Sequence, residues 1–476
     1  MPFDDEGTYL AQAWAVLTRG ELAHYTYWYD HPPLGWLLIV PWMWVTNGFG
    51  GESILLAGRL QMVLVSGGCA LLVYLIARRI GFRRPFALIA LLLFAFSPLS
   101  MHFHRMVLLD NFAVALFLVS VLLLLSPRRP MWSQQAGVIT FAISVLTKET
   151  MLLLAPVVFM LLWQGSSGHN RRYSLTLGTS LFFSVLFLYP LLSILKGELL
   201  PGDGHVSLVE AIRWQLVGRP SGGSVFDTTS ATFDTVESWL TLDPWLPGLG
   251  VLALPVSLFV RRLRPFAVGV AMMMIAVIRP GYVPLMFVVA ALPLLSLMIA
   301  GVLDLAWAGR KGDHSVWRFE ELGRITRPLI LAGVLPIVLL GLAPRWGADL
   351  STQVNSDLAK PFRQAEKWIV ENVPPGTPIL VDNVLWMELV AQDYPPEQTV
   401  WYYKLDLDPS IAARFPNGWQ DFGYVVSTPV LRATVYDLPT VAAALENSYV
   451  AATFSPSDVV IDGRRVEVRA ISDFSR

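Results

Sequence analysis

The chain has 476 residues, of which 54% are hydrophobic and only 15% charged, where a soluble globular chain carries about a quarter charged residues. Its formal net charge of −1 offers no bulk basicity to recruit nucleic acid, and a single cysteine, Cys69, excludes a disulfide framework and a thiolate metal site. With a mean hydropathy of +0.53, the composition is that of a polytopic membrane protein.

In chain order, the first feature is an acidic cluster, Asp4-Asp5-Glu6, followed by Tyr9 and then by Asp30-His31-Pro32-Pro33-Leu34. Segment 34–46 is apolar but too short to span, and Pro41 interrupts it; Trp36, Trp42 and Trp44 suit a helix lying in the outer interface. Residues 1–53 therefore read as an outer loop carrying the acidic pair and an interfacial helix. Apolar runs follow at 54–77, 86–100, 107–125, 134–147, 150–164, 174–195, 244–260, 265–278, 283–307 and 328–344, about ten spans by the measure of about 20 residues per crossing. Those at 134–147, 150–164 and 265–278 are short, so they thin the bilayer or end below its surface in a protein-lined cavity. Together, 54–344 form a transmembrane domain. No signal peptide or span precedes the acidic cluster, and one further span is expected upstream of Met1; an in-frame stop close before it, with no apolar segment, would refute this.

Beyond 345 the apolar runs shrink and alternation takes over. Helices are expected at 357–372, 384–391 and 438–446, and strands at 378–382, 399–403, 422–427, 449–454, near 459–461 and at 464–470. Residues 345–476 thus read as a small α/β domain with no glycine-rich phosphate loop and no nucleophile elbow.

Basic residues set the orientation. Arg78, Arg79, Arg83 and Arg84 crowd one loop; Arg128 and Arg129, then Arg171 and Arg172, then Arg261, Arg262 and Arg264, then Arg310, Lys311, Arg318, Arg324 and Arg327 mark every second loop after it. These loops are cytoplasmic. The same parity divides 134–164 into two short spans with Lys148-Glu149 at an outer hairpin, and it places the C-terminal domain outside.

Five outer segments then carry polar groups to one face: Asp5-Glu6 with Tyr9; Asp30-His31; His102, His104 and Arg105 with Asp110; Lys148-Glu149; and Arg279 with Tyr282. Each has a plain reading, as solvated tip, turn residue, interface anchor or snorkelling cation. Asp110 is the hardest to dismiss, since an aspartate inside an apolar helix is costly unless paired or hydrated. Arg105 stands about 140° from it around a helix, so its partner must come from another segment. Recessed cations beside a carboxylate suit a substrate with a lipid tail and a phosphate, the carboxylate taking a proton from an attacking hydroxyl. His102, His104, Asp110 and Asp5 could also be drawn together as an oxygen and nitrogen metal site, although no spacing among them requires a divalent metal or any other cofactor.

On Asp5-Glu6, His31-Pro32-Pro33-Leu34-Gly35 and Arg105 through Asp110, with weaker matches at Lys148-Glu149 and Arg279 through Pro284, the chain resembles the C-type membrane glycosyltransferases. The resemblance is to the dolichyl-phosphate-mannose–protein mannosyltransferases and their bacterial relatives, the lipid A aminoarabinose transferases, over about residues 3–345. It implies an inverting transfer of a sugar, mannose among the candidates, from a polyprenyl-monophosphate carrier to an acceptor hydroxyl on protein, glycan or lipid. It places that transfer on the extracytoplasmic face of the plasma (inner) membrane. It also implies Asp5 as general base, Glu6 as a residue orienting it or the acceptor, and Arg105, Lys148 and Arg279 as ligands of the donor phosphate. His31, His102, His104, Asp110, Glu149 and Tyr282 would shape the cleft. The family has a span ahead of its acidic pair where this sequence has none, and the tail lacks the repeated sugar-binding-like motifs of the eukaryotic members, which favours a bacterial type. Loop 196–243, with a Gly- and Ser-rich stretch, is expected to cover the cleft. A transporter or flippase of lipid-linked sugars is the competing reading, but it calls for midplane charges and paired half-structures, and neither is seen.

Overall fold

The structure, a computed structural model, describes residues 2–51, 53–128, 130–308, 333, 337–456 and 464–472. The apolar stretches become helices because a chain surrounded by hydrocarbon must satisfy its backbone within each segment. Helices occupy Ile54–Arg79, Arg84–Phe96, Leu109–Leu124, Met131–Thr147, Ala155–Gly165, Arg171–Leu186 with Leu188–Lys196, Trp245–Phe259, Arg264–Ile278 and Leu292–Ala308. Among the described residues three helices are long and apolar enough to cross a membrane, or up to five if each bent pair counts as one span. Leu109–Leu124, Glu149–Gly165 and Arg264–Ile278 are shorter apolar helices. Residues 328–332 and 334–336 of stretch 328–344, the basic loop 310–327 and the strand near 459–461 lie outside the described residues.

Two helix pairs are sharply bent. Arg84–Phe96 meets Pro98–His104 at 60°, and Ala231–Leu242 meets Trp245–Phe259 at 103°. Each break falls on the residue before a proline, Ser97 before Pro98 and Asp243 before Pro244, where the proline ring disfavours helical geometry; both residues leave the helical range, at ψ 126° and 97°. One buried carboxylate joins the two breaks. Asp243 Oδ2 accepts from Ser97 Oγ at 2.6 Å, while its Oδ1 accepts from Trp245 N at 2.9 Å and Trp346 Nε1 at 3.0 Å.

At one end of the molecule the loops at 78–84 and 261–264 meet. Asp304 accepts from Arg262 Nη2 at 2.9 Å and from the backbone N–H of Arg83 at 3.2 Å. The C-terminal domain is at the other end of helix Ile54–Arg79, about 39 Å away at 1.5 Å per residue. There Glu388 takes up three donors at that helix's start, Ser53 Oγ, Ile54 N and Leu55 N, at 3.0, 3.1 and 3.0 Å. A carboxylate in this position also complements the positive end of the helix.

The C-terminal domain carries a five-stranded mixed sheet in the order β2-β1-β3-β5-β4. Its strands are β1 (Ile379–Val381), β2 (Thr399–Trp401), β3 (Tyr424–Ser427), β4 (Ser448–Phe454) and β5 (Val466–Ile471). The first three run parallel, joined by helical crossovers, and β5 pairs antiparallel with both β3 and β4. These strands and the helices Lys360–Asn372, Asn383–Ala391 and Pro439–Glu446 follow the sequence pattern closely.

Two expectations for the N-terminal stretch need correction. Residues Asp4–Arg19 form a helix, not a loop, with three acidic residues in its first turn. Trp36 is not an interface anchor: it is 2% exposed and packed in the core, whereas Trp44 is 70% exposed. Helix Asp4–Arg19 docks on the start of Asn383–Ala391 so closely that a Cβ on Gly7 would lie 2.3 Å from the Asn383 carbonyl carbon. Glycine is required there by close approach.

Candidate active site

The neighbours Asp5 and Glu6 point to different surroundings. Glu6 is fully buried. Arg59 binds it through two N–H···O contacts at 2.9 and 2.7 Å, and the backbone N–H groups of Val107 and Phe3 each donate to it at 3.0 Å. It fastens the first helix to helix Ile54–Arg79 and to the 105–110 segment, and it does not line the cavity described next. Asp5 is half-buried, and among the described residues no hydrogen bond or ion pair engages its carboxylate.

Asp5 opens into a cavity of about 260 Å³. The first helix contributes Asp4, Asp5, Thr8, Tyr9 and Gln12 to its wall. The strap that follows contributes Tyr27, Trp28, Tyr29, Asp30 and His31, with Trp36 behind them. Asn383 and Tyr403 of the C-terminal domain complete it. The strap is strained at Tyr29, whose φ of +53° is unusual for a bulky residue. Bonds on both sides hold it: the Tyr29 hydroxyl donates to Glu198 at 2.6 Å, and Tyr189 donates to the Tyr29 carbonyl at 3.0 Å.

Toward helix Met131–Thr147 a polar chain runs from His31. Its Nδ1 lies 3.0 Å from Glu149 Oε2, and Lys148 Nζ lies 2.8 Å from its Nε2. An ammonium can only donate, so in this arrangement Nε2 accepts from Lys148 and Nδ1–H donates to the carboxylate. Lys148 Nζ is also 4.0 Å from Asp110 Oδ2. Lys148 and Asp110 are 3% and 4% exposed. The partner of Asp110 thus comes from another segment. Lys148 is the extended residue, at φ −151° and ψ 116°, between helix Met131–Thr147 and the turn that follows, so the break presents the cation sideways.

The other candidates are not brought to this cavity. Arg105 donates to the Gln353 carbonyl at 2.9 Å, a partner supplied by helix Ala343–Asn355. His104 is buried, hydrogen-bonded through Nδ1 to the Ser100 carbonyl at 3.1 Å and set edge-on to Phe94, so it belongs to the core. His102 lines a separate cavity with Asp234 and Glu237. Arg279 is exposed. Tyr282 is half-exposed and lies under Arg219, whose Cζ is 3.4 Å from the ring centroid. The 196–243 loop hooks onto this segment through Gly222 N, which donates to the Gly281 carbonyl at 3.0 Å. Among the described residues no three His, Cys, Asp or Glu side chains are grouped as a metal site.

The C-terminal wall carries its own electrostatics. Burial pushes Asp382, which caps helix Asn383–Ala391, up to about 6. Burial and the nearby Asp382 and Asp5 raise Asp4 well above the ordinary carboxylate range. Burial also pulls Lys404 down to about 8 against the opposing pull of Asp408 and Asp30. None of Asp4, Asn383, Tyr403 and Lys404 is singled out by charge in an apolar run. The readable signal is aromatic density: Tyr25, Tyr27, Trp28 and Tyr29 crowd one short strap, and Tyr402-Tyr403 precede Lys404.

Residues 24–188 match the family of dolichyl-phosphate-mannose-protein mannosyltransferases. The structure is similar to ArnT from Cupriavidus metallidurans bound to undecaprenyl phosphate, at 16% identity and a TM-score of 0.60, covering 100% of this chain and 95% of that one. It is also similar to the oligosaccharyltransferase AglB from Archaeoglobus fulgidus in complex with an inhibitory peptide and a dolichol-phosphate, at 14% identity and a TM-score of 0.54, covering 99% and 73%. At these identities the structural likeness is one of fold. No curated protein matches the sequence. The resemblance carried by the motifs is thereby shown: the fold is that of the C-type membrane glycosyltransferases, the mannosyltransferase match lies across the strap and the Lys148 cluster, and the protein is a glycosyltransferase. A transporter or flippase is not favoured.

Proposed function

We propose that the protein transfers a sugar from a polyprenyl-monophosphate carrier to an acceptor hydroxyl, with inversion, in the cavity at Asp5. The observation that carries this is the contrast within the acidic pair. Glu6 is saturated by Arg59 and two backbone donors, while Asp5 faces the cavity with its carboxylate unengaged. Mannose, the sugar of the matched family, is the first donor to test.

The acceptor oxygen attacks the anomeric carbon as Asp5 takes its proton. The bond from that carbon to the phosphate oxygen breaks, and its electron pair leaves with the lipid phosphate. Lys148, held by His31 and Asp110, is the cation that stabilises the departing phosphate, in a site too buried for water to screen it. Glu6 acts as a positioning residue that holds the helix bearing Asp5. Arg105 and Arg279 stand outside the cavity, and a phosphate role for either requires the donor to draw it in. The alternation of basic loops gives about ten crossings, with the cavity on the extracytoplasmic face of the plasma membrane and the acceptor reaching it from that side.

The test is transfer by purified protein from polyprenyl-phosphate mannose to hydroxyl acceptors, wild type against Asp5→Asn. Turnover should fall by about 10³-fold or more while donor binding is largely kept. Undiminished turnover in the variant would remove Asp5 as the base.

A further inference from the structure

Beyond the catalytic cavity, the most unusual buried group is a lysine of the C-terminal domain. Lys404 is 4% exposed. Its ammonium lies 4.0 Å from the centroid of the Trp28 ring, 5.3 Å from that of Tyr25 and 5.9 Å from that of Tyr403, with Asp408 Oδ2 at 3.7 Å. Three aromatic faces and one carboxylate therefore surround a single cation. Such contacts are strong where the cation is desolvated. Two of those rings, Trp28 and Tyr403, are walls of the cavity that holds Asp5.

The same domain grips the strap at neighbouring points. Thr26 Oγ1 donates to Asp408 Oδ1 at 3.2 Å, Trp401 N donates to the Tyr25 hydroxyl at 3.0 Å, and His24 Nε2 lies 3.2 Å from the Pro396 carbonyl. The far end of the strap is held from the membrane side at Tyr29 and His31. Trp28 thus falls between two anchorages, and the Lys404 ammonium sets its face.

We propose that Lys404 is a positioning residue that holds Trp28 and Tyr403 as the sugar-binding wall of the cavity, so that the C-terminal domain sets recognition of the transferred sugar. The inference rests on the reading of Asp5 and Lys148 given above. A phosphate at Lys148 lies beside His31, and the sugar, one bond further on, falls within the cavity. Its wall offers what a pyranose requires: aromatic faces for the C–H side of the ring, and Asp30 and Asn383 for its hydroxyls.

The experiment measures steady-state transfer by the full-length protein in detergent, with donor and acceptor varied separately. Lys404→Met should raise the donor KM about tenfold, leaving the acceptor KM and kcat within about twofold. Lys404→Arg, which keeps the cation over the rings, should restore most of the donor KM. Trp28→Leu should raise the donor KM by a similar factor, and adding Lys404→Met to it should add less than its separate effect, because the lysine acts chiefly through that nearest ring. A donor KM unchanged in Lys404→Met, a loss confined to kcat, or full additivity of the two changes would each overturn the proposal. If Lys404→Met does not fold, Trp28→Leu alone decides: an unchanged donor KM refutes the sugar wall. Asp5→Asn run in parallel separates the two readings. A dead Asp5→Asn beside a neutral Lys404→Met refutes only the wall, whereas an active Asp5→Asn refutes the catalytic assignment itself.

Discussion

The cavity is flanked by two buried lysines in opposite company. Lys148, on the membrane side, has an imidazole nitrogen at 2.8 Å and a carboxylate at 4.0 Å. Lys404, on the C-terminal side, has three aromatic faces and one carboxylate at 3.7 Å. The polar setting leaves an ammonium able to exchange partners with an incoming anion. The aromatic setting spends the ammonium on fixing rings. One residue type thus serves electrostatics on one wall and shape on the other, and burial alone does not tell the two uses apart.

The comparison can be broken most severely at its hinge, the helix Asp4–Arg19 that stands between the walls. Arg59→Met leaves the Glu6 carboxylate buried without its cation, and removing one partner of a buried pair costs about 3–5 kcal/mol. Thermal unfolding in detergent should show a clear loss of stability, with turnover falling as the helix loosens. An unaltered midpoint would mean that Glu6 does not anchor it. Next, Lys148→Met should lower kcat/KM for the lipid-linked donor about 100-fold, and Lys148→Arg should recover part of it. An undiminished kcat/KM in Lys148→Met would show that Lys148 does not face the phosphate.

The smallest effect expected is a change of pH dependence on the C-terminal side. Folding raises Asp382 from its ordinary 3.8 to about 6 through burial, so between those values the folded chain binds more protons than the unfolded one. Its contribution to stability is present below about pH 4 and is lost as pH rises through 6. Asp382→Asn, which can still cap helix Asn383–Ala391, should gain stability relative to wild type across that interval by a few degrees in Tm. Parallel curves for the two proteins would exclude ionisation of Asp382 as the cause.

How far the sequence could be read differs between these same regions. Apolar runs mark the helices because a span must satisfy its own backbone, and β1 to β5 are marked by short alternating segments. Asp110 and Lys148 are legible because a charge within or at the end of an apolar stretch demands a partner, while His31 and Glu149 are marked by the motifs that carry the resemblance. Arg59 is a charge of the same kind, but it stands early in a long span beside the acidic segment, and its bond to Glu6 joins residues that no periodicity connects. Lys404 and Asn383 lie in a polar domain where a charge is unremarked, and their importance comes only from contacts with residues some 375 positions earlier. The resemblance marks Arg105 for a phosphate, but no pattern in the sequence shows that it donates to the carbonyl of Gln353.

The carboxylate of Asp243 has a mechanical consequence. It holds the 60° and 103° breaks to each other and to Trp346 of helix Ala343–Asn355, the helix whose Gln353 carbonyl receives Arg105. Neither bent pair can straighten alone without giving up a buried hydrogen bond. The two bends are thereby tied together, and helix Ala343–Asn355 connects them to the arginine beside the first acidic turn.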